Sequence, residues 1–125
     1  MDRLFFILGC ISAFISVAAG AFGSHALRER LAPDFLNAFE VGVKYQMYHA
    51  LALLAVAWAV NHWPNANASL SGWLFVSGTI LFSGSLYAMS LTGLRVFGAV
   101  TPAGGLLFIA GWLYLAWTIF QSSGQ

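Results

Sequence analysis

The sequence predicts an all-α fold: an integral membrane four-helix bundle with a short interfacial helix between helices one and two. Three observations predict it. Hydrophobic residues make up 60% of the chain and charged residues 7%, with a mean hydropathy of +0.81, whereas soluble domains are about 25% charged. Four apolar runs are each long enough to cross a hydrocarbon core of about 30 Å at ~1.5 Å per residue. Finally, six of the nine charged side chains (Arg28, Glu29, Arg30, Asp34, Glu40, Lys44) fall between Gly20 and Leu54, together with His25 and His49. A membrane body with one polar stretch is the implied organisation, and the chain reads as a single transmembrane domain over 1–125.

Helix one is placed at about 4–24, within a charge-free run of 24 residues from Leu4 to Leu27. Arg3 followed by Ala19-Gly20-Ala21 also fits a cleaved signal peptide. Against cleavage, Gly9, Ala13, Ser16, Gly20 and Gly23 recur at spacings of 4, 3, 4 and 3, one stripe of small residues of the kind that lets a second helix approach closely. Residues 25–33 alternate in charge and read as an interfacial segment whose Arg28 and Arg30 face lipid phosphates. Pro33 disfavours helix at Ala32 and suits a first turn, so helix two is placed at about 34–62, with Asp34 as its cap.

Those 29 positions give roughly 43 Å of helix, about 13 Å more than the hydrocarbon needs. With Trp63 as the interfacial anchor, the other boundary falls near Lys44. Glu40 and Lys44, at i and i+4, are then expected to form a boundary ion pair. His49 lies about 7 Å deeper, beyond the reach of a snorkelling imidazole. It is expected to hydrogen-bond Tyr45, one turn earlier, or a neighbouring helix; Tyr48 adjoins it. The competing reading makes it a ligand or proton-handling group. The set His25, Glu40, Lys44, Tyr45, Tyr48 and His49 is the candidate functional cluster.

The runs GAFGSHALRERL and FEVGVKYQMYHALALL, separated by the Pro33-Asp34 break, resemble domain-of-unknown-function family 423, the YgdD/YwdK-like small membrane proteins. The resemblance covers nearly the whole chain in length and in its four apolar segments. It implies a four-helix membrane protein and carries over no catalytic residue.

Pro64 and the polar run NHWPNANASLS separate helix two from helix three, which is placed at about 70–91 and is rich in small residues: Gly72, Ser77, Gly78, Ser83, Gly84 and Ser85. Asn67-Ala68-Ser69 fits a glycosylation sequon, a short pattern easily met by chance. Helix four is placed at about 103–120, with Gly104 and Gly111 one heptad apart, and the tail QSSGQ is read as unstructured. Gly78, Gly84, Gly104 and Gly111 join the helix-one stripe as packing positions. Because these close-packing faces cannot all be used inside one four-helix bundle without leaving some toward lipid, a homo-oligomer is expected.

Arg28, Arg30, Lys44 and Arg95 fall at the first and third connections, and only Arg3 at the other end. The positive-inside rule therefore places both termini outside and those connections in the cytoplasm of a cell-membrane protein. Membrane lipids are the expected partners. A formal charge of +1 offers no basic patch for nucleic acid. The lone Cys10 carries no redox or metal motif. No HExxH, CxxC, GxSxG or phosphate loop occurs, and the three histidines lack ligand spacing, so neither metal nor cofactor is assigned. Three functional classes follow. The favoured one is a non-enzymatic bundle that self-associates or supports a complex. The second is a homo-oligomeric channel or transporter using the Glu40, Lys44 and His49 face. The third is a membrane enzyme acting on lipid or quinone near the cytoplasmic interface, with His25 and His49.

Overall fold

The computed structural model describes residues 2–122, and these are all helical or in short turns. Helix α1 (Asp2–Ala18) runs without a break into a π-helical turn, Ala19–Gly23, and then into the single α-turn α2 (Ser24–Leu27). Long helices follow: α3 (Pro33–His62), α4 (Ala68–Thr92) and α5 (Thr101–Ser122), the last preceded by a 3-10 turn, Arg95–Ala99. Asp2–Leu27, Ala68–Thr92 and Arg95–Ser122 are long and apolar enough to cross a membrane. α3 has the length but carries Glu40, Lys44, Gln46 and His49 within it.

Several local expectations change. The segment 25–33 is not a separate helix: its first residues extend the helix-one rod to Leu27, and a turn over 28–30 follows. The charges that suggested a break begin only at Arg28, so nothing opposes helix before it. α3 begins at Pro33 with Ala32 extended (φ −60°, ψ 153°), as the steric restriction ahead of proline requires. Asp34 does not cap it. Its carboxylate instead accepts a 2.6 Å hydrogen bond from Arg95, which also lies over the Phe35 ring. That bond, on the first turn of α3 ahead of the apolar stretch, holds the Asp34 carboxyl below its ordinary value of 3.8 and ties the first and third connections together at one end of the molecule. α4 starts at Ala68, where the Asn67 N–H is taken by Thr118 Oγ1 at 3.1 Å. It stops at Gly93, which adopts φ +74° and returns its N–H to the Met89 carbonyl, a left-handed ending that suits glycine because it has no Cβ. α5 continues into the tail as far as Ser122, and 123–125 lie outside the described residues.

Backbone packing runs in chain order: α1 on α3, α3 on α4, α4 on α5. Small residues set each approach. A Cβ on Gly9 would fall 2.8 Å from the Ala50 carbonyl oxygen, and one on Gly20 or Gly23 would press on Val43 or Phe39, so the helix-one stripe is the α1–α3 contact. Ser16 lies in it and donates to the Val43 carbonyl at 2.8 Å. Between α4 and α5, Gly78 receives Phe108, Gly111 receives Phe75, and Gly104 lies directly on the Phe82 backbone. Phe5, fully buried, reaches from α1 across to Gly72 of α4 and stacks edge-on with Trp73. Outward positions such as Phe14, Ile80, Leu106 and Leu113 are exposed and apolar, the surface a hydrocarbon solvent accepts.

Candidate functional site

α3 is the central helix, and its polar residues divide between two faces. Glu40 and Lys44 are exposed and line a groove of about 390 Å³ with Gly20, Ser24, Arg28 and Asn37, between the helix-one end and the first turns of α3. Although they stand at i and i+4, no ion pair joins them; the ion pair seen among the described residues is Asp34–Arg95. The expected boundary pair is thus replaced by two splayed side chains facing one polar cavity. Tyr45, Tyr48 and His49 lie on a different face and line a separate groove of about 570 Å³ with Phe82, Phe108 and Trp112. His25 is exposed on α2 and lines neither. The six candidate residues are therefore not one cluster.

His49 is the most constrained of them, with 4% of its surface exposed. Its Nδ1 lies 2.8 Å from the Tyr45 carbonyl oxygen, and its Nε2 lies 3.1 Å from Trp112 Nε1. A carbonyl can only accept and an indole N–H can only donate, so Nδ1 carries the proton and Nε2 offers its lone pair. The ring is neutral in this arrangement and both nitrogens are occupied. It lies flat on Phe108, centroids 3.5 Å apart and planes within 6°.

A second polar line crosses the molecule through Gln46, which is 6% exposed. Tyr87 Oη donates to Gln46 Oε1 at 2.6 Å, and Gln46 Nε2 donates to Ser12 Oγ at 3.2 Å, linking α4, α3 and α1. Serines extend the pattern. Ser83 donates to the Gly42 carbonyl at 2.7 Å, Ser90 to Phe35 at 2.9 Å, and Ser71 to Gly111 at 2.9 Å, while Ser85 and Thr101 share a 2.5 Å bond. Gln46 was visible in the sequence as a polar residue inside an apolar run. Tyr87 and Trp112 carried no such mark, because one amphipathic aromatic among many reads as an interface or core residue. Among the described residues no three of His, Cys, Asp or Glu come together as a metal site.

A row of long apolar helices, laced by side-chain hydrogen bonds that engage the buried polar side chains of the described residues, defines the class: a small helical membrane protein. The chain belongs to the family described as "Protein of unknown function (DUF423)", whose model matches residues 19–105. Its similarity to curated relatives extends end to end. It is 44% identical to a UPF0382 membrane protein of Staphylococcus haemolyticus, over 98% of this chain and 99% of the relative. It is 43% identical to one of Staphylococcus aureus over the same shares, and 41% identical to YwdK of Bacillus subtilis over 90% and 93%. No solved structure matches.

Proposed function

We propose that this protein is a non-enzymatic membrane bundle that self-associates or supports a larger complex, with all four long helices crossing a cell membrane. One observation carries the reading: no buried side-chain nitrogen or oxygen among the described residues lacks a hydrogen-bond partner. An interior whose polar atoms are all engaged by the protein is organised for cohesion, since in lipid packing and interhelical hydrogen bonds replace the hydrophobic drive. Reaction centres, by contrast, keep a base or nucleophile available to substrate. A transport path through Glu40, Lys44 and His49 would have to pass through α3 itself, because these residues line different grooves. α3 fits the bilayer despite its polar residues because Gln46 and His49 face protein.

The small-residue argument for assembly narrows. The stripes of α1, α4 and α5 are consumed inside the chain, and only Gly84 among the predicted packing glycines has nothing within 4 Å of where its Cβ would be. It shares the outward side of α4 with exposed Ser77, Ile80 and Leu91, so that side is the one left to a second copy. Gly84→Leu should then reduce association while leaving the melting temperature of the detergent-solubilised protein within a few degrees of the parent. Chemical crosslinking across a concentration series, with parent and variant alike purely monomeric, would remove the self-association reading.

Orientation follows from charge. Arg28, Arg30, Lys44 and Arg95 gather at the end joined by the Asp34–Arg95 bond, so that end is assigned to the cytoplasm. A cysteine at Arg30 should react with impermeant reagents only from the cytoplasmic side, and a reporter fused after Phe120 should report an external terminus. An internal reporter signal would reverse the orientation.

A further inference from the structure

We infer that the groove between the helix-one end and α3 is a binding site for the headgroup of an amino-phospholipid of the ethanolamine type. The groove has a volume of about 390 Å³, inside the range of about 300–1,000 Å³ usual for ligand sites. Its polar lining is two cations, Arg28 and Lys44, one carboxylate, Glu40, and two neutral groups, Asn37 and Ser24. Among the described residues every buried side-chain nitrogen and oxygen has a hydrogen-bond partner; here Glu40 and Lys44 stand one turn apart without pairing, and both turn to the same cavity.

The charge pattern selects the ligand. Arg28 and Lys44 are donors with no accepting capacity and suit a phosphate. A simple anion would satisfy them but leave the Glu40 carboxylate facing like charge. A headgroup with a phosphate and a primary ammonium satisfies all three at once, with Asn37 and Ser24 left to complete its hydrogen bonds. A trimethylammonium group has no N–H to give Glu40 and is held instead by aromatic faces, and no aromatic ring lines this groove. The location agrees: Lys44 marks the boundary of the apolar stretch of α3, and exposed Val17, one turn before Gly20 on the adjoining rod, supplies apolar surface for acyl chains. The groove is formed within one chain, so lipid binding there does not require self-association.

The test uses the full chain, delipidated in detergent, with native mass spectrometry and a titration of short-chain phosphatidylethanolamine, phosphatidylcholine, phosphatidylglycerol and inorganic phosphate. Ethanolamine lipid should bind at least several-fold more tightly than choline lipid. Arg28→Gln and Lys44→Gln should each weaken every phospholipid, by about tenfold if one charge-assisted hydrogen bond is lost. Glu40→Gln should remove the preference for ethanolamine over choline while keeping or improving phosphatidylglycerol binding. All three side chains are exposed, so the variants should melt like the parent, which keeps the comparison interpretable. Equal binding of ethanolamine and choline lipids by the parent would overturn the assignment. So would inorganic phosphate competing at the same concentration as the lipid, which would mark a free-phosphate site, Arg28→Gln or Lys44→Gln binding phospholipid like the parent, or Glu40→Gln retaining the parent's preference for ethanolamine over choline.

Discussion

Gly104→Leu should leave no folded protein in mild detergent, and Gly104→Ala should already melt well below the parent. A Cβ at Gly104 would fall on the backbone nitrogen and Cα of Phe82. A crowded side chain can rotate away, but a crowded helix backbone moves only if the helices separate. Overpacking a core usually costs about 1–3 kcal/mol, where repacking can absorb it. Here it cannot, and separation would also strain the Ser85–Thr101 bond, the Ser71–Gly111 bond and the seating of Phe108 against Gly78. Lipid offers no compensating hydrophobic drive to hold α4 and α5 together at a larger distance. Gly84→Leu is the matched control, because it adds the same atoms to α4 where nothing stands in their way. Thermal unfolding followed by circular dichroism and size-exclusion chromatography separates the two; a Gly104→Leu protein that stays monodisperse and melts within a few degrees of the parent would show that the α4–α5 approach is looser than described.

The architecture was legible where it depends on local chemistry. Apolar runs of sufficient length pointed to the helices, Pro33 marked the start of α3, and the spacing of Gly9, Ser16, Gly20 and Gly23 picked out a face that lies against α3. Where tertiary packing decides, the reading failed. The alternating charges after Leu27 suggested an interfacial helix, yet the rod continues through a π-turn at Ala19–Gly23, a local widening that no propensity argument signals. The grouping of Glu40 and Lys44 with Tyr45 and His49 could have been rejected from periodicity alone. Each pair is one turn apart, but Lys44 and Tyr45 are neighbours in sequence and so point about 100° apart around the helix. Trp112 as the partner of His49 was out of reach, because that bond spans 63 positions and depends on how α5 packs against α4. The same limit applied to the packing glycines: that Gly84 alone is left unused follows from which faces meet.

The sharpest test of the central helix is the series His49→Ala, His49→Gln and Trp112→Phe. His49→Ala removes the acceptor for the Trp112 N–H and the ring that lies on Phe108. An unsatisfied donor costs about 1–3 kcal/mol, and loss of an aromatic pair about 0.5–1.5 kcal/mol more, so this variant should be the least stable of the three. It does not disturb Tyr45 equally, since that carbonyl keeps its helical partner. His49→Gln offers an amide that can donate to the Tyr45 carbonyl and an oxygen that can accept from Trp112, but it has no ring to stack. It should recover most, not all, of the stability lost in His49→Ala. Trp112→Phe keeps an aromatic ring but loses the N–H together with part of the indole's volume, which frees Nε2 of His49 for water or a proton. The double variant His49→Ala/Trp112→Phe should therefore be less destabilised than the sum of its parts, by about 0.5–3 kcal/mol, as expected for residues in direct contact. If His49 is cohesive, His49→Gln assembles, melts nearly like the parent and restores whatever growth or binding phenotype His49→Ala loses. A glutamine variant that is fully stable yet as defective as the alanine variant would overturn the structural role, because the property then missing is the one glutamine lacks: titration near neutral pH and strong ligation through Nε2.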